Sequence, residues 1–113
     1  MTERELKAFR AAIRIGDASM VSQLIRRNKF LATALLDKDG WSSIHVASFL
    51  GQLEILEIIL ASDVDVNTKT AKNAMNALHL SCLKGHSDVV RLLVKHNAKV
   101  NEKADLQWTA LHL

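Results

Sequence analysis

The chain repeats itself at an interval of 34 residues. Three residue types recur at that spacing, in the pairs His45 and His79, Gly51 and Gly85, and Asn67 and Asn101. A repeat of this length indicates one small supersecondary unit stacked on copies of itself. A single such unit cannot bury its own apolar face, so the sequence predicts an array in which each unit packs only against its neighbours.

Each unit is predicted to contain two short helices. In "SIHVASFLGQLEILEIIL", apolar residues recur at helical spacing on both sides of Gly51, which is expected to end the first helix. "ALHLSCLKGHSDVVRLLV" repeats this pattern around Gly85. The array divides into residues 1–36, 37–69, 70–103 and 104–113, and the first range is degenerate because Arg10 stands at the histidine position.

Polar residues mark the expected helix ends. Helix N-terminal caps are predicted at three equivalent positions: Ser42, Asn76 and Thr109. Asp and Asn accept the left-handed backbone conformation more readily than most residues. We therefore expect left-handed stops after the second helices at Asn28, Asp63 and Asn97.

These units resemble ankyrin repeats. The matching stretches are "SSIHVA", "GQLEILEIIL" and "DVDVN" in 37–69, then "NALHLS", "GHSDVVRLLV" and "AKVN" in 70–103, with "TALHL" near the end. The resemblance implies an all-α solenoid of stacked helix-turn-helix units with short β-hairpin loops. Residues 1–36 would be the N-terminal capping repeat.

The chain departs from the family pattern at two places. The family's proline is replaced by Ser43, Ala77 and Ala110, and its hairpin glycine survives only as Gly40, becoming Ala74 and Gln107. The hairpin tips after the second unit are therefore expected to be less regular. Residues 104–113 supply only the start of a fourth unit. We expect a fragment of a longer protein or self-association through an uncapped C-terminal end.

Composition and charge narrow the class of function. The net charge of +3 is distributed as +4, −4, +4 and −1 over the four ranges, so no single basic stripe runs along the chain. Nucleic-acid binding is therefore disfavoured. No apolar run is long enough for membrane insertion, and the one cysteine favours a reducing compartment, the cytosol or nucleus.

His79, Cys82 and His86 form a cluster that could be interpreted as a metal site or a Cys–His catalytic pair. Zinc sites usually have four ligands, whereas this spacing supplies three. His45 and His112 repeat His79 without a cysteine three residues later, and Cys82 aligns with Ser48. We therefore interpret the cluster as hydrogen-bonding histidines and a buried thiol, and we expect no metal, no cofactor and no enzymatic activity.

Exposed residues of the hairpin tips and first helices are the candidate binding residues. The resemblance implies a concave partner surface at these positions, where Trp41, Met75 and Trp108 would form a ladder. The full set is Lys38, Asp39, Trp41, Phe49, Leu50, Lys72, Asn73, Met75, Leu83, Lys84, Leu106 and Trp108. The alternative is that the aromatic residues serve only packing.

The predicted function is a non-enzymatic protein–protein interaction module that presents a rigid concave surface to a partner protein or peptide. The alternative is a structural or regulatory segment of a larger multidomain protein, with no independent partner. The resemblance further implies that a hairpin asparagine, Asn67 or Asn101, is a hydroxylation site. Asp65, two positions earlier, favours Asn67.

Overall fold

A computed structural model describes residues 2–96 as three pairs of helices. The helices are α1 (Glu3–Ile15), α2 (Ala18–Arg27), α3 (Ser43–Leu50), α4 (Leu53–Leu60), α5 (Ala77–Leu83) and α6 (Ser87–Lys95), with a 3₁₀ helix at Lys29–Thr33. In residues 2–96, isolated strand pairing consists of one antiparallel bridge between Leu35 and Ser42. The predicted all-α repeat fold is confirmed.

The helices form two rows. The first-helix row comprises α1, α3 and α5, and the second-helix row comprises α2, α4 and α6; each helix packs against its neighbours in the same row and against its partner. The core lies between the rows and includes Phe9, Ile13, Ile44, Leu56 and Leu93, all fully or almost fully buried. Burying such side chains drives the stacking of successive units.

Within residues 2–96, the helix ends follow the expected chemistry with one exception, and the predicted cap at Thr109 and stop at Asn97 lie outside the described residues. Asn76 caps α5, since its Oδ1 accepts the His79 N–H at 2.8 Å, while His79 Nδ1 accepts the Asn76 N–H at 3.1 Å. Ser42 is the corresponding cap of α3. Asp63 has the predicted left-handed backbone, with φ of 62°. The prediction for Asn28 was wrong because its φ is −148° and its side chain instead caps the 3₁₀ helix.

Adjacent hairpins are stacked directly on one another. Their tips close through hydrogen bonds from Leu36 N–H to Trp41 O (2.7 Å) and from Thr70 N–H to Met75 O (2.8 Å). The Lys72 N–H donates to the carbonyl oxygen of Asp39 at 3.1 Å, which joins the two tips. Gly40 has φ of 77°, whereas the second tip turns through two non-glycine residues, Asn73 (φ 72°) and Ala74 (φ 48°). The two tips therefore differ in backbone, as the loss of the glycine predicted.

Candidate interaction surface

The first helices end in apolar and basic side chains that are exposed, apart from the half-buried Phe49. Each pair directly precedes a glycine with a left-handed backbone at or just after the helix end: Arg14 and Ile15, Phe49 and Leu50, and Leu83 and Lys84. The exposed fractions are 77% for Ile15, 41% for Leu50 and 54% for Leu83. We call these six residues the helix-end strip.

Sequence reasoning missed two members of this strip, Arg14 and Ile15. Their position before Gly16 is equivalent to that of Phe49 and Leu50 before Gly51. The sequence therefore contains the signal, but Arg10 at the histidine position makes the first unit resemble a cap and hides the equivalence. The structure extends the apolar strip into residues 1–36.

Trp41 is half-buried against its own repeat. Its ring meets the Phe49 ring edge-on, with centroids 5.3 Å apart, and the His45 ring lies 6.4 Å away. The Lys84 ammonium of the next unit lies 5.1 Å from the Phe49 ring centroid, within the range of cation–π attraction. The Trp41 ring is thus packed on one side, and only part of it is exposed to solvent.

The hairpin tips present charge beside this aromatic pair. Lys38, Asp39, Lys72 and Asn73 are exposed, and Met75 is half-buried in the slot equivalent to Trp41. Leu106 lies outside the described residues, and so does Trp108, the third member of the predicted ladder. The ladder of Trp41, Met75 and Trp108 stays a prediction.

Two polar side chains at the starts of second helices bond to the end of the first helix of the preceding unit. Gln52 Nε2 donates to the carbonyl oxygens of Ile13 (3.1 Å) and Arg14 (3.3 Å), and His86 Nε2 bonds to that of Phe49 (3.0 Å). Because Gln52 and His86 occupy equivalent positions, this contact is a repeat feature. It satisfies carbonyl groups that a helix C-terminus leaves without a partner within the helix. The hydrogen-bonding interpretation of His86 is confirmed.

The histidine position of each unit also has a structural role, because its side chain forms hydrogen bonds. His45 is fully buried; its Nδ1 accepts the Ser42 N–H at 3.0 Å and its Nε2 bonds to the Thr68 carbonyl at 2.8 Å. In the first unit, Arg10 donates to the Leu36 carbonyl at 2.9 Å and so also connects its helix to the following hairpin segment. Burial lowers the pKa of His45, opposed by its bond to Thr68 and by the charge of Asp37.

Cys82 has the character of an inert thiol. Burial raises its pKa, which disfavours the thiolate that nucleophilic catalysis needs. The prediction of a buried thiol was only partly right, because Cys82 is half-buried at the edge of the core, whereas the equivalent Ser48 is fully buried. Among residues 2–96, no three His, Cys, Asp or Glu side chains are placed to share a metal ion.

The structure places Asn67 in a turn that follows α4, near the end of the second unit. Its N–H donates to Asp65 Oδ1 at 2.9 Å, and the residue is half-buried. Hydroxylation at Asn67 stays a prediction. A single added oxygen on the Asn67 peptide, measured by mass spectrometry of the chain from its natural host, would support it; an unmodified peptide would contradict it.

Helix pairs stacked in two rows, at a repeat interval of 34 residues, define the chain as a helical repeat protein. The family model for ankyrin repeats (3 copies) matches residues 2–70 and 60–113. The chain therefore belongs to the ankyrin-repeat family, whose members are generally protein-interaction modules without enzymatic activity.

Curated relatives agree with this assignment. The chain is 32% identical over 108 residues to the target of rapamycin complex 2 subunit AVO2 of Saccharomyces cerevisiae, covering 93% of this chain and 25% of that protein. It is 30% identical over 105 residues to alpha-latrotoxin-Lg1a of Latrodectus geometricus, covering 92% and 8%. The human 26S proteasome non-ATPase regulatory subunit 10 is 33% identical over 62 residues, covering 55% and 27%. The chain thus spans at most about a quarter of the length of these relatives.

Within residues 2–96, none of the helices has both the length and the apolar character that crossing a bilayer requires.

Proposed function

We propose that this chain is a non-enzymatic interaction module that binds a partner protein or peptide across the helix-end strip and the hairpin tips. The observation that carries the proposal is the alignment of Ile15, Leu50 and Leu83 at the ends of three adjacent helices, all substantially exposed. Exposed apolar side chains that form a contiguous patch typically mark a binding site.

The rigidity of the scaffold supports this proposal. The bonds from Gln52 and His86 fix the starts of α4 and α6 to the end of the preceding unit's first helix, and the Lys72–Asp39 backbone bond joins adjacent tips. A partner would meet a surface that is already ordered, so little conformational entropy is lost on binding.

The second-helix row offers a poorer site. Its groove between α2 and α4 is lined by Ala18, Ser19, Ser22, Gln23, Arg26, Glu54 and Ile58, most of them polar or charged. Its exposed apolar side chains include Met20 (40%) and Val94 (46%), which belong to α2 and α6, with α4 between them. Protein-binding interfaces typically have a central apolar anchor and a polar rim, and the first-helix row fits this description better than the second-helix row.

A comparison of two double variants tests the proposal. Leu50→Ser with Leu83→Ser removes two exposed apolar side chains from the strip, and Met20→Ser with Val94→Ser removes two of similar exposure from the other row. Peptides selected from a random library on the unmodified chain should lose binding to the first variant and retain it with the second. Thermal unfolding should show that both variants fold. Equal binding to both variants, or loss with the control alone, would contradict the proposal.

A structural or regulatory segment without its own partner is the second candidate. The small share of each relative that the chain covers favours it, because ankyrin repeats in those proteins are part of much longer chains. A failure to select any peptide that competes at the helix-end strip would favour this candidate.

A further inference from the structure

Asp39 is the only Asp or Asn residue in the chain that is followed directly by glycine. An aspartate side chain is within reach of the next peptide nitrogen, which can attack its carboxyl carbon and close a five-membered succinimide ring. The two groups are held together by the chain, so proximity favours the reaction. A side chain on the following residue hinders this approach, and glycine has none. The sequence therefore places its least hindered pair of this kind at the tip of the first hairpin.

The Asp39 side chain is exposed at this tip. Among residues 2–96, its carboxylate takes part in no hydrogen bond or ion pair. Asp37 provides the contrast, because its Oδ1 accepts the N–H groups of Asp39 (3.0 Å) and Trp41 (3.1 Å) and because Lys38 follows it. Of the two aspartates in this turn, only Asp39 therefore combines an unbound carboxylate with an unhindered neighbour.

The nitrogen that would attack the carboxyl group is weakly held. The Gly40 N–H donates to the carbonyl oxygen of Asp37 at 3.3 Å, which is longer than most N–H···O bonds in proteins. The bond that closes the same tip, from Leu36 N–H to Trp41 O, is 2.7 Å long. A local opening of the turn frees the Gly40 nitrogen, and native proteins make such openings without unfolding globally.

We propose that Asp39 isomerises spontaneously to isoaspartate, and that this modification breaks the joint between the two hairpin tips. The Gly40 nitrogen attacks Asp39 Cγ, and its proton leaves with the hydroxyl group of the neutral carboxyl as one water molecule, which gives the succinimide. Water then opens the ring. Attack at Cγ restores aspartate, whereas attack at the main-chain carbonyl carbon turns that carbon into a carboxylate and leads the backbone through Cβ and Cγ. Water is the only reactant, and the inference does not depend on the proposed function.

The isomerised residue does not fit the stacked hairpins. The Asp39 carbonyl oxygen accepts the Lys72 N–H at 3.1 Å. Gly40 lies so close to the next hairpin that a Cβ on it would be 2.5 Å from the Cβ of Ala71. In isoaspartate, two carbons instead of one separate Asp39 Cα from the Gly40 nitrogen. The carboxylate can stay at Lys72 only if Gly40 is displaced, and Gly40 can stay against Ala71 only if the bond to Lys72 is lost.

Incubation of the full 113-residue chain at physiological temperature and neutral pH tests the proposal. Chymotrypsin releases the segment 37–41, which contains both aspartates of the turn. Aspartate and isoaspartate have the same mass, but chromatography separates the two peptides and electron-transfer fragmentation distinguishes them. Isoaspartate should accumulate at Asp39 and not at Asp37. It should form more slowly than in a synthetic peptide of residues 35–42, because the folded turn has to open first.

Two variants and one further measurement connect the reaction to the hairpin joint. Asp39→Glu keeps the charge but would have to close a less favourable six-membered ring, so it should stay unmodified. Ala71→Gly removes the methyl group next to Gly40 and should raise the rate several-fold, because it loosens the stack. Hydrogen exchange at the Lys72 amide should be faster in the isomerised fraction than in the fresh chain.

Three results would overturn the proposal. The first is an unmodified Asp39 in the folded chain after the synthetic peptide has largely converted. The second is equal accumulation at Asp37, which would show that the glycine and the unbound carboxylate do not select the site. The third is unchanged exchange at the Lys72 amide of the isomerised fraction, which would show that the joint between the tips survives the modification.

Discussion

The imidazole Nε2 of His86 lies 3.0 Å from the carbonyl oxygen of Phe49, across the boundary between two consecutive units. One unit earlier, Gln52 makes the equivalent bond to Ile13. The two side chains differ in shape, yet each bonds to a carbonyl oxygen near the end of the preceding first helix. His79, Cys82 and His86 have the spacing of a possible ligand set, but this hydrogen bond shows that His86 has a structural role between units.

His86→Gln is expected to keep most of the stability of the chain, because Gln already makes this contact in the preceding unit. His86→Ala should lower the free energy of unfolding by about 1 kcal/mol, since it leaves the Phe49 carbonyl without this donor. Urea denaturation followed by circular dichroism measures both. Equal loss in the two variants would show that the ring itself, and not the hydrogen bond, supplies the stability.

Gly40→Ala should destabilise the chain more than Gly85→Ala. Both glycines have left-handed backbones, with φ of 77° and 74°. A Cβ on Gly40 would lie 2.5 Å from the Cβ and 2.6 Å from the backbone nitrogen of Ala71 in the next hairpin, whereas nothing lies within 4 Å of one on Gly85. Gly85→Ala thus reports the cost of the backbone conformation alone, about 1 kcal/mol.

The excess loss for Gly40→Ala measures how tightly the two hairpins stack. Thermal or urea unfolding of the two variants beside the unmodified chain gives this difference. If the variants lose the same stability, the hairpins separate easily and the tips are not held as a single surface.

Ser48→Ala is expected to leave stability unchanged or to raise it by up to about 1 kcal/mol. Ser48 is fully buried, and its hydroxyl has no hydrogen-bond partner, so its removal relieves a desolvation cost. Ser43 on the same helix is the control, since its buried hydroxyl donates to the Ala32 carbonyl at 2.7 Å. Ser43→Ala should lower the free energy of unfolding by about 1 kcal/mol. The reverse order in denaturation experiments would refute this assignment of the two hydroxyls.

His45 should make the fold less stable as pH falls below its ordinary pKa of 6.5. Burial lowers the pKa of His45 in the folded chain, so the unfolded chain binds the proton first, and acid favours unfolding. The stability contributed by neutral His45 is complete above pH 6.5 and decreases below it, by at most about 1.4 kcal/mol per pH unit.

The measurement is an NMR titration of the imidazole resonances, combined with urea denaturation between pH 7.5 and 5.5. The His45 ring should titrate below 6.5, and the pH dependence should shrink in His45→Gln. Titration of His45 at or above 6.5 would contradict the prediction.

The sequence predicted the repeat architecture well because periodic apolar residues, helix caps and end glycines all follow from local chemistry. It predicted Asn76 as a cap and Asp63 as a left-handed stop, both decided by a residue and its near neighbours. Asn28 was mispredicted because a 3₁₀ helix follows it, and an N-terminal cap competes with a left-handed stop for the same residue.

The contacts within the candidate surface could not be predicted as well from the sequence. Alignment identified Phe49, Leu50 and Leu83, but it did not show that Trp41 packs on Phe49 or that Lys84 crosses into the preceding unit. Such contacts depend on which side chains the stacking brings together.

Chemical-shift mapping tests the central claim most directly. A peptide from the library selection is titrated into isotope-labelled chain while the methyl resonances of Ile15, Leu50 and Leu83 are followed. The account predicts that the largest perturbations fall on these three side chains, with Val94 and Ile58 in the second-helix row left nearly unchanged. Perturbations centred on α2, α4 and α6, with the three methyl groups unmoved, would contradict it.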